Sequence, residues 1–273
     1  MIDAHVHILN IFPKNIGLDS NKCASELMSF LGQFGVSRII AVGYQLTDVA
    51  PLLELKSYGS EKISVGLGVH PWIAKEQEHL DDVSLKMILC DADFVGETGL
   101  DFFQARSTEE RAIQESLLVK HLDAAEIIGL PVILHWVKAL HRQRFLFEHR
   151  SLRGIVHGWS GDRQEGEYWV SKGFLLGIGP RLLLRKTRQD LTWIPTSNLV
   201  IETDFPDIPA LLLPLLDKIS YRSFPGLDDW TEATQWVAAL QWTTSTLAKY
   251  LGWTASRVED VSTDNLTRVL ARL

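Results

Sequence analysis

The chain has 273 residues, 46% of them hydrophobic, enough to fill the core of one large α/β barrel or of two small domains and inconsistent with a disordered chain. Its formal net charge of −7 argues against a broad basic surface wrapped around duplex nucleic acid, though not against a small anionic substrate. Two cysteines, Cys23 and Cys90, without CxxC spacing argue against a disulfide framework or a thiolate zinc site, and no run approaches the roughly 18 apolar residues of a membrane span.

With no basic segment and apolar run at the N-terminus, the expected setting is a reducing cytoplasm. The first predicted element, residues 2 to 7, contains Asp3-Ala4-His5-Val6-His7. Alternate residues of a strand share a face, so His5 and His7 point the same way and can hold one metal ion. Asp3 lies one pleat deeper on that face, as a hydrogen-bonding support. Apolar or β-branched runs then recur at 36 to 43, 62 to 69, 94 to 97, 131 to 135, 154 to 157, 173 to 178 and 199 to 203.

Helix-like stretches separate these runs. The clearest is 107 to 129, with Ser107 as N-cap, Glu110 three residues later, and Gly129 then Pro131 closing it. Pro209, Pro214 and Pro225 interrupt the pattern before a helical stretch at 231 to 250, and a last helix is read from Asp264 to Leu273. Eight strands alternating with helices predict a TIM (β/α)8 barrel. With no linker, charge block or repeat, residues 1–273 read as a single domain.

Barrel chemistry sits at the C-terminal ends of the strands. His5 and His7 end the first strand; Glu97, His135, His157 and Asp204 end the fourth, fifth, sixth and eighth. Four imidazoles and two carboxylates are too few for two closed sites, but enough for two divalent ions sharing a bridging carboxylate, roughly 3.5 to 4 Å apart. Two such ions would outweigh the charges of Glu97 and Asp204 and make the pocket locally positive. The histidine-rich set favours zinc, manganese or another transition metal over magnesium, without choosing among them.

The remaining histidines His79, His121, His141 and His149 fall in polar, helix-like stretches and are expected to be solvated. Trp72, Trp136 and Trp159 stand beside His70, His135 and His157, either as a stacking platform for unpaired bases or as packing under loops.

Taken together, Asp3 to His7, Gly66 to Pro71, Gly96-Glu97-Thr98-Gly99-Leu100-Asp101 with Phe102 and Phe103, Leu130 to His135, His157-Gly158-Trp159-Ser160-Gly161, Glu202 to Pro206 and Thr263-Asp264-Asn265 resemble the TatD family of metal-dependent hydrolases, within the amidohydrolase-like barrel group. The resemblance spans almost the whole chain. It implies one metal held by His5, His7, Glu97 and Asp204, and a second by Glu97, His135 and His157. Asp204 would orient or deprotonate the attacking water, Glu97 would fix the metal spacing, and His70 would sit near the substrate phosphate.

Family members are mostly described as deoxyribonucleases, often 3′ exonucleases, so the resemblance implies phosphodiester hydrolysis at single-stranded DNA ends. Two departures bear on specificity. Where the family usually places a small residue, Arg and an acidic residue after the strand-five histidine, this chain has Trp136-Val137-Lys138, and an ammonium does not reproduce a bidentate guanidinium. The family's Arg-Asn-Glu-Pro-like stretch near 217 to 228 is absent, with Tyr221-Arg222-Ser223-Phe224-Pro225 a weak stand-in.

The same barrel also serves hydrolysis of small amides, lactones or phosphotriesters. A carboxylated lysine often bridges the metals in those enzymes; here Glu97 stands where such a lysine would. A third alternative is a metal-binding subunit active only within a DNA-processing or defence complex with operon-encoded partners.

Overall fold

The structure is a computed structural model that describes residues 1–11, 20–59, 61–159, 163–185, 190–216 and 231–271. Tyr221 to Pro225, Ser160, Gly161 and the side chain of Cys23 lie outside the described residues. Eight strands form one parallel sheet in chain order: β1 Ile2–Val6, β2 Arg38–Val42, β3 Ile63–Leu67, β4 Phe94–Asp101, β5 Val132–Val137, β6 Gly154–Val156, β7 Leu175–Ile178 and β8 Leu199–Ile201. Every expected run coincides with one of them, β4 and β5 extending beyond theirs.

Past the end of β8 the sheet turns back onto β1. The Asp204 N–H donates to the His5 carbonyl at 3.0 Å and the His7 N–H to the Phe205 carbonyl at 2.9 Å. This seam brings the two ends of the barrel sequence together at the mouth. The crossovers carry helices Ser20–Gln33, Val49–Gly59, Asp82–Leu89, Thr108–Ile128, Leu140–Phe147, Arg163–Ser171 and Pro180–Leu183. Leu213–Leu216, Thr231–Leu251 and Ala255–Leu270 follow β8. Among the described residues no helix is long and apolar enough to cross a membrane.

Local chemistry explains the clearest helix. Ser107 Oγ accepts from Glu110 N at 3.1 Å while Glu110 Oε2 accepts from Ser107 N at 3.0 Å, a reciprocal cap that contributes about 1 kcal/mol. Gly129, with φ of 75°, closes the last turn in the left-handed region.

The sequence reading differs from the structure at three places. The terminal helix begins at Ala255 rather than Asp264, capped by Thr254, whose Oγ1 accepts from Arg257 N at 3.2 Å. Its buried stripe includes polar Ser262 and Asn265, which obscured the helical period. Both serve β8: Ser262 Oγ accepts from Ile201 N at 3.2 Å, and Asn265 Nδ2 donates to the Leu199 carbonyl at 2.7 Å.

Second, β4 runs on to Asp101, because Gly99 is a strand residue here and not a loop signal. Gly99 pairs with His135 at φ of 154°, and a side chain there would collide with the His135 carbonyl. The close approach of β4 and β5 sets Glu97 against His135.

Third, His121 is fully buried instead of solvated. Its Nδ1–H donates to the Leu117 carbonyl at 2.8 Å, leaving Nε2 to accept from Val69 N at 3.2 Å. Burial pushes this ring down to about 4, so it is neutral and ties helix Thr108–Ile128 to the loop after β3. His79, His141 and His149 are exposed, as expected.

Candidate metal centre

The alternation of β1 buries Asp3 and His5 on the barrel's inner face and brings His7 to the same face at its mouth. Asp3 is the support the sequence suggested. Its carboxylate accepts from His5 N at 3.2 Å, Thr203 N at 3.0 Å, Thr203 Oγ1 at 2.6 Å and Trp236 Nε1 at 2.8 Å. Burial nevertheless pushes Asp3 up to about 6. The web fastens β1 to the segment after β8 and to helix Thr231–Leu251.

Glu97 occupies the middle of the cluster, 1% exposed. Its two oxygens face different partners. Oε2 lies 3.2 Å from His5 Nε2 and 3.5 Å from His7 Nε2, while Asp204 Oδ1 lies 3.7 and 3.8 Å from the same two nitrogens. Oε1 lies 2.7 Å from His135 Nδ1 and 2.8 Å from His157 Nε2. The other five residues expected from the sequence therefore gather around the Glu97 carboxylate.

Groups behind the cluster fix which nitrogen of His7 and of His135 faces inward. His7 Nδ1 donates to the Val42 carbonyl at 3.2 Å, freeing Nε2. His135 Nε2 donates to Asp101 Oδ2 at 3.2 Å, freeing Nδ1. Asp101 also accepts from Trp72 Nε1, Phe103 N and Gln104 N. Burial opposes its ionisation, but these donors, led by His135, outweigh it and hold Asp101 at about 2. Sequence reasoning missed Asp101 as an orienting group, although it closes the Gly-Glu-Thr-Gly-Leu-Asp run.

Glu202 was missed likewise. Fully buried, it accepts from Gly158 N at 2.5 Å and stands 3.9 Å from His157 Nδ1. Its carboxylate fills the space that a side chain on Gly177 would take. Burial raises it to about 8.

The donor set fits a divalent cation. Glu97 Oε2 is buried and has no hydrogen-bond donor, while His5 Nε2 and His7 Nε2 stand 3.2 and 3.5 Å from it. Donor atoms of His5, His7 and Glu97, of His5, His157 and Asp204, and of His70, Glu97 and His135 lie within 4.8 Å of one another in each group. Burial opposes the charge on Glu97, yet His157, His70 and His5 outweigh it and hold the carboxylate well below its ordinary range. Burial likewise opposes a proton on His157, but Glu97 and Asp204 outweigh it and push that ring up to about 10.

Distance alone would admit His70 as a ligand, since its Nε2 lies 3.3 Å from both Glu97 Oε1 and His135 Nδ1. Its tautomer points elsewhere. Nδ1 accepts from Trp72 N at 3.1 Å, and burial pushes the ring down to about 4, so neutral His70 presents an Nε2–H to the pocket. Tyr44 stacks on it with centroids 4.4 Å apart, a neighbour that carried no sequence signal.

The three tryptophans part company. Trp136 and Trp159 are 8% and 3% exposed and serve as packing, with Trp136 edge-on to Trp169 at 5.2 Å and Trp159 edge-on to Trp193 at 5.8 Å. Trp72 is 46% exposed at the rim. Lys138, beside the position of the absent arginine, is exposed at the end of β5 with φ of 55°.

Known proteins resemble this chain over most of its length. The metal-dependent hydrolase YjjV of Escherichia coli K12 is 32% identical over 189 residues, 65% of this chain and 71% of that protein. The 3′-5′ ssDNA/RNA exonuclease TatD of the same organism is 29% identical over 211 residues, covering 72% of this chain and 79% of that one. The crystal structure of E. coli YjjV superposes with a TM-score of 0.73 at 23% identity, over 98% of this chain and 96% of that chain, which supports the barrel fold. The family model described as TatD related DNase matches residues 2–271, and the chain belongs to that family.

Proposed function

We propose that this metal-dependent hydrolase cleaves phosphodiester bonds at the ends of single-stranded nucleic acid, DNA foremost, using two divalent ions, with residues 1–273 acting as one catalytic domain. The observation that carries the reading is the placement of Glu97, whose two oxygens serve two different sets of donors. His5, His7 and Asp204 with Glu97 Oε2 would hold one ion; His135 and His157 with Glu97 Oε1 would hold the other. Zinc and manganese suit the imidazole-rich set better than magnesium. When bound, such ions supply Lewis-acid charge for a phosphoryl oxygen and a lower pKa for the attacking water.

The chain's own groups do the rest. Asp204 is the most open carboxylate of the set, with a side chain 17% exposed, and burial followed by the nearby Glu97 and Asp207 charges outweighs its histidine neighbours and raises its basicity. It orients the attacking water and accepts its proton. His70 donates Nε2–H to a non-bridging phosphate oxygen, a role its tautomer prepares. Asp3 fixes the β1 backbone at His5 and Asp101 orients the His135 ring, so both donor sets meet the phosphate preorganised. The relatives named as 3′-5′ ssDNA/RNA exonucleases support the choice of substrate and polarity.

The test is hydrolysis of end-labelled single-stranded DNA, RNA and duplex, beside a lactone, an amide and a phosphotriester, across zinc, manganese and magnesium. Cation-dependent shortening of single strands from the 3′ end, strongly slowed in Asp204→Asn, is the expected result. Turnover of the lactone, amide or phosphotriester alone would overturn it. Adding the proteins encoded by neighbouring genes distinguishes an autonomous enzyme from a subunit that needs its complex.

A further inference from the structure

We propose that Trp72 and Phe103 form a stacking subsite for an unpaired nucleobase at the rim of the metal centre; this rests on the nuclease reading above. Both rings are among the large apolar side chains left in solvent, 46% and 62% exposed. The Trp72 ring and the Phe103 backbone are both fixed. The Trp72 indole N–H is fixed on Asp101 Oδ2 at 2.7 Å, and the backbone N–H groups of Phe103 and Gln104 on Asp101 Oδ1, each at 3.0 Å.

The same Asp101 Oδ2 receives His135 Nε2 at 3.2 Å, so one carboxylate anchors the aromatic rim and a proposed metal ligand. The Trp72 ring lies 5.0 Å from His70 and 6.2 Å from His135, centroid to centroid. Tyr44, stacked on His70 and edge-on to Trp72 at 6.3 Å, continues the wall toward β2. A phosphate at His70 would thus carry its base against a preset aromatic surface.

Charge decides for a base over a second phosphate. Beside Trp72 runs a cleft of about 440 Å³ whose lining holds one cation, Lys75, and two carboxylates, Glu76 and Glu110. Such a cleft offers little to a polyanionic backbone, while stacking needs no net charge and accepts every base because each has a π-face. A base within a duplex is already covered on both faces by its neighbours. The subsite therefore selects unpaired ends.

The experiment compares kcat/KM for a single-stranded oligonucleotide with that for the same strand made abasic over the last three nucleotides at each end. For the wild-type protein the intact strand is expected to be better by roughly 5- to 150-fold, the range of one stacked base. In Trp72→Ala this ratio should fall to within about 2-fold, and Phe103→Ala, at an exposed position, should reduce it without depending on the indole hydrogen bond. Trp72→Phe should keep most of the ratio. Variants that lower both rates and preserve the ratio would show a purely structural role and overturn the subsite. A wild-type protein that cleaves both strands equally would overturn it and leave the nuclease reading standing; one that cleaves neither strand would remove both.

Discussion

Asp204 donates its backbone N–H to the His5 carbonyl at 3.0 Å, so the closing bond of the barrel and the meeting of two proposed ligands are one event. His5 comes from the first strand and Asp204 from the turn after the last. Closing the barrel brings them together. Asp204 does this at φ of 59°, a left-handed conformation that Asp and Asn reach more readily than most residues.

Asp204→Asn should accordingly preserve the seam while removing the charge. The melting temperature should stay within a few degrees of wild type and the hydrolytic rate should fall by roughly 10²- to 10⁴-fold, the usual worth of a general base. Unaltered turnover in a folded D204N protein would remove Asp204 from the chemistry.

Asp101 is a positioning residue in this account. Asp101→Asn retains the shape but gives up the charge that orients His135 and secures Trp72, and metal affinity should drop by about 10- to 100-fold in competition with a chelating dye. An unchanged dissociation constant would mean that His135 needs no such partner.

His121 makes a pH prediction. Its folded value near 4 lies below the ordinary 6.5, so the unfolded chain takes up the proton first as pH falls. The neutral ring's contribution is intact above pH 6.5 and is lost between 6.5 and 4, at up to roughly 1.4 kcal/mol per pH unit and about 3 kcal/mol in all. Gln can accept from Val69 N and donate to the Leu117 carbonyl without titrating. Denaturant unfolding of His121→Gln should therefore show a shallower dependence across that window than wild type, and parallel curves would refute the assignment.

Trp136 belongs to the packing between β5 and the outer helices. Trp136→Ala should cost about 3 to 5 kcal/mol of stability, as large aromatic deletions from cores do. Equilibrium unfolding checks this; undiminished stability with weakened oligonucleotide binding would restore the stacking role.

Much of this was legible in the sequence, because each strand is an apolar run and each proposed ligand stands at or just past its end. The period of two that pairs His5 with His7 also dictates that Trp136, next to His135, points away from the mouth, and applying it there would have settled Trp136 at once. His121 was obscured by polar neighbours Lys120 and Asp123. Yet it follows Leu117 by four residues and lies on the stripe with Leu118, Leu122 and Ala125 that packs inward. Asp101 and Glu202 were harder, since their roles come from β4 outrunning its apolar segment and from space left by Gly177 on another strand.

The most direct test is anomalous diffraction from crystals of the protein loaded with zinc or manganese. The account predicts two peaks flanking the Glu97 carboxylate, one among His5, His7 and Asp204 and the other beside His135 and His157. A single peak, or metal bound away from Glu97, would contradict it.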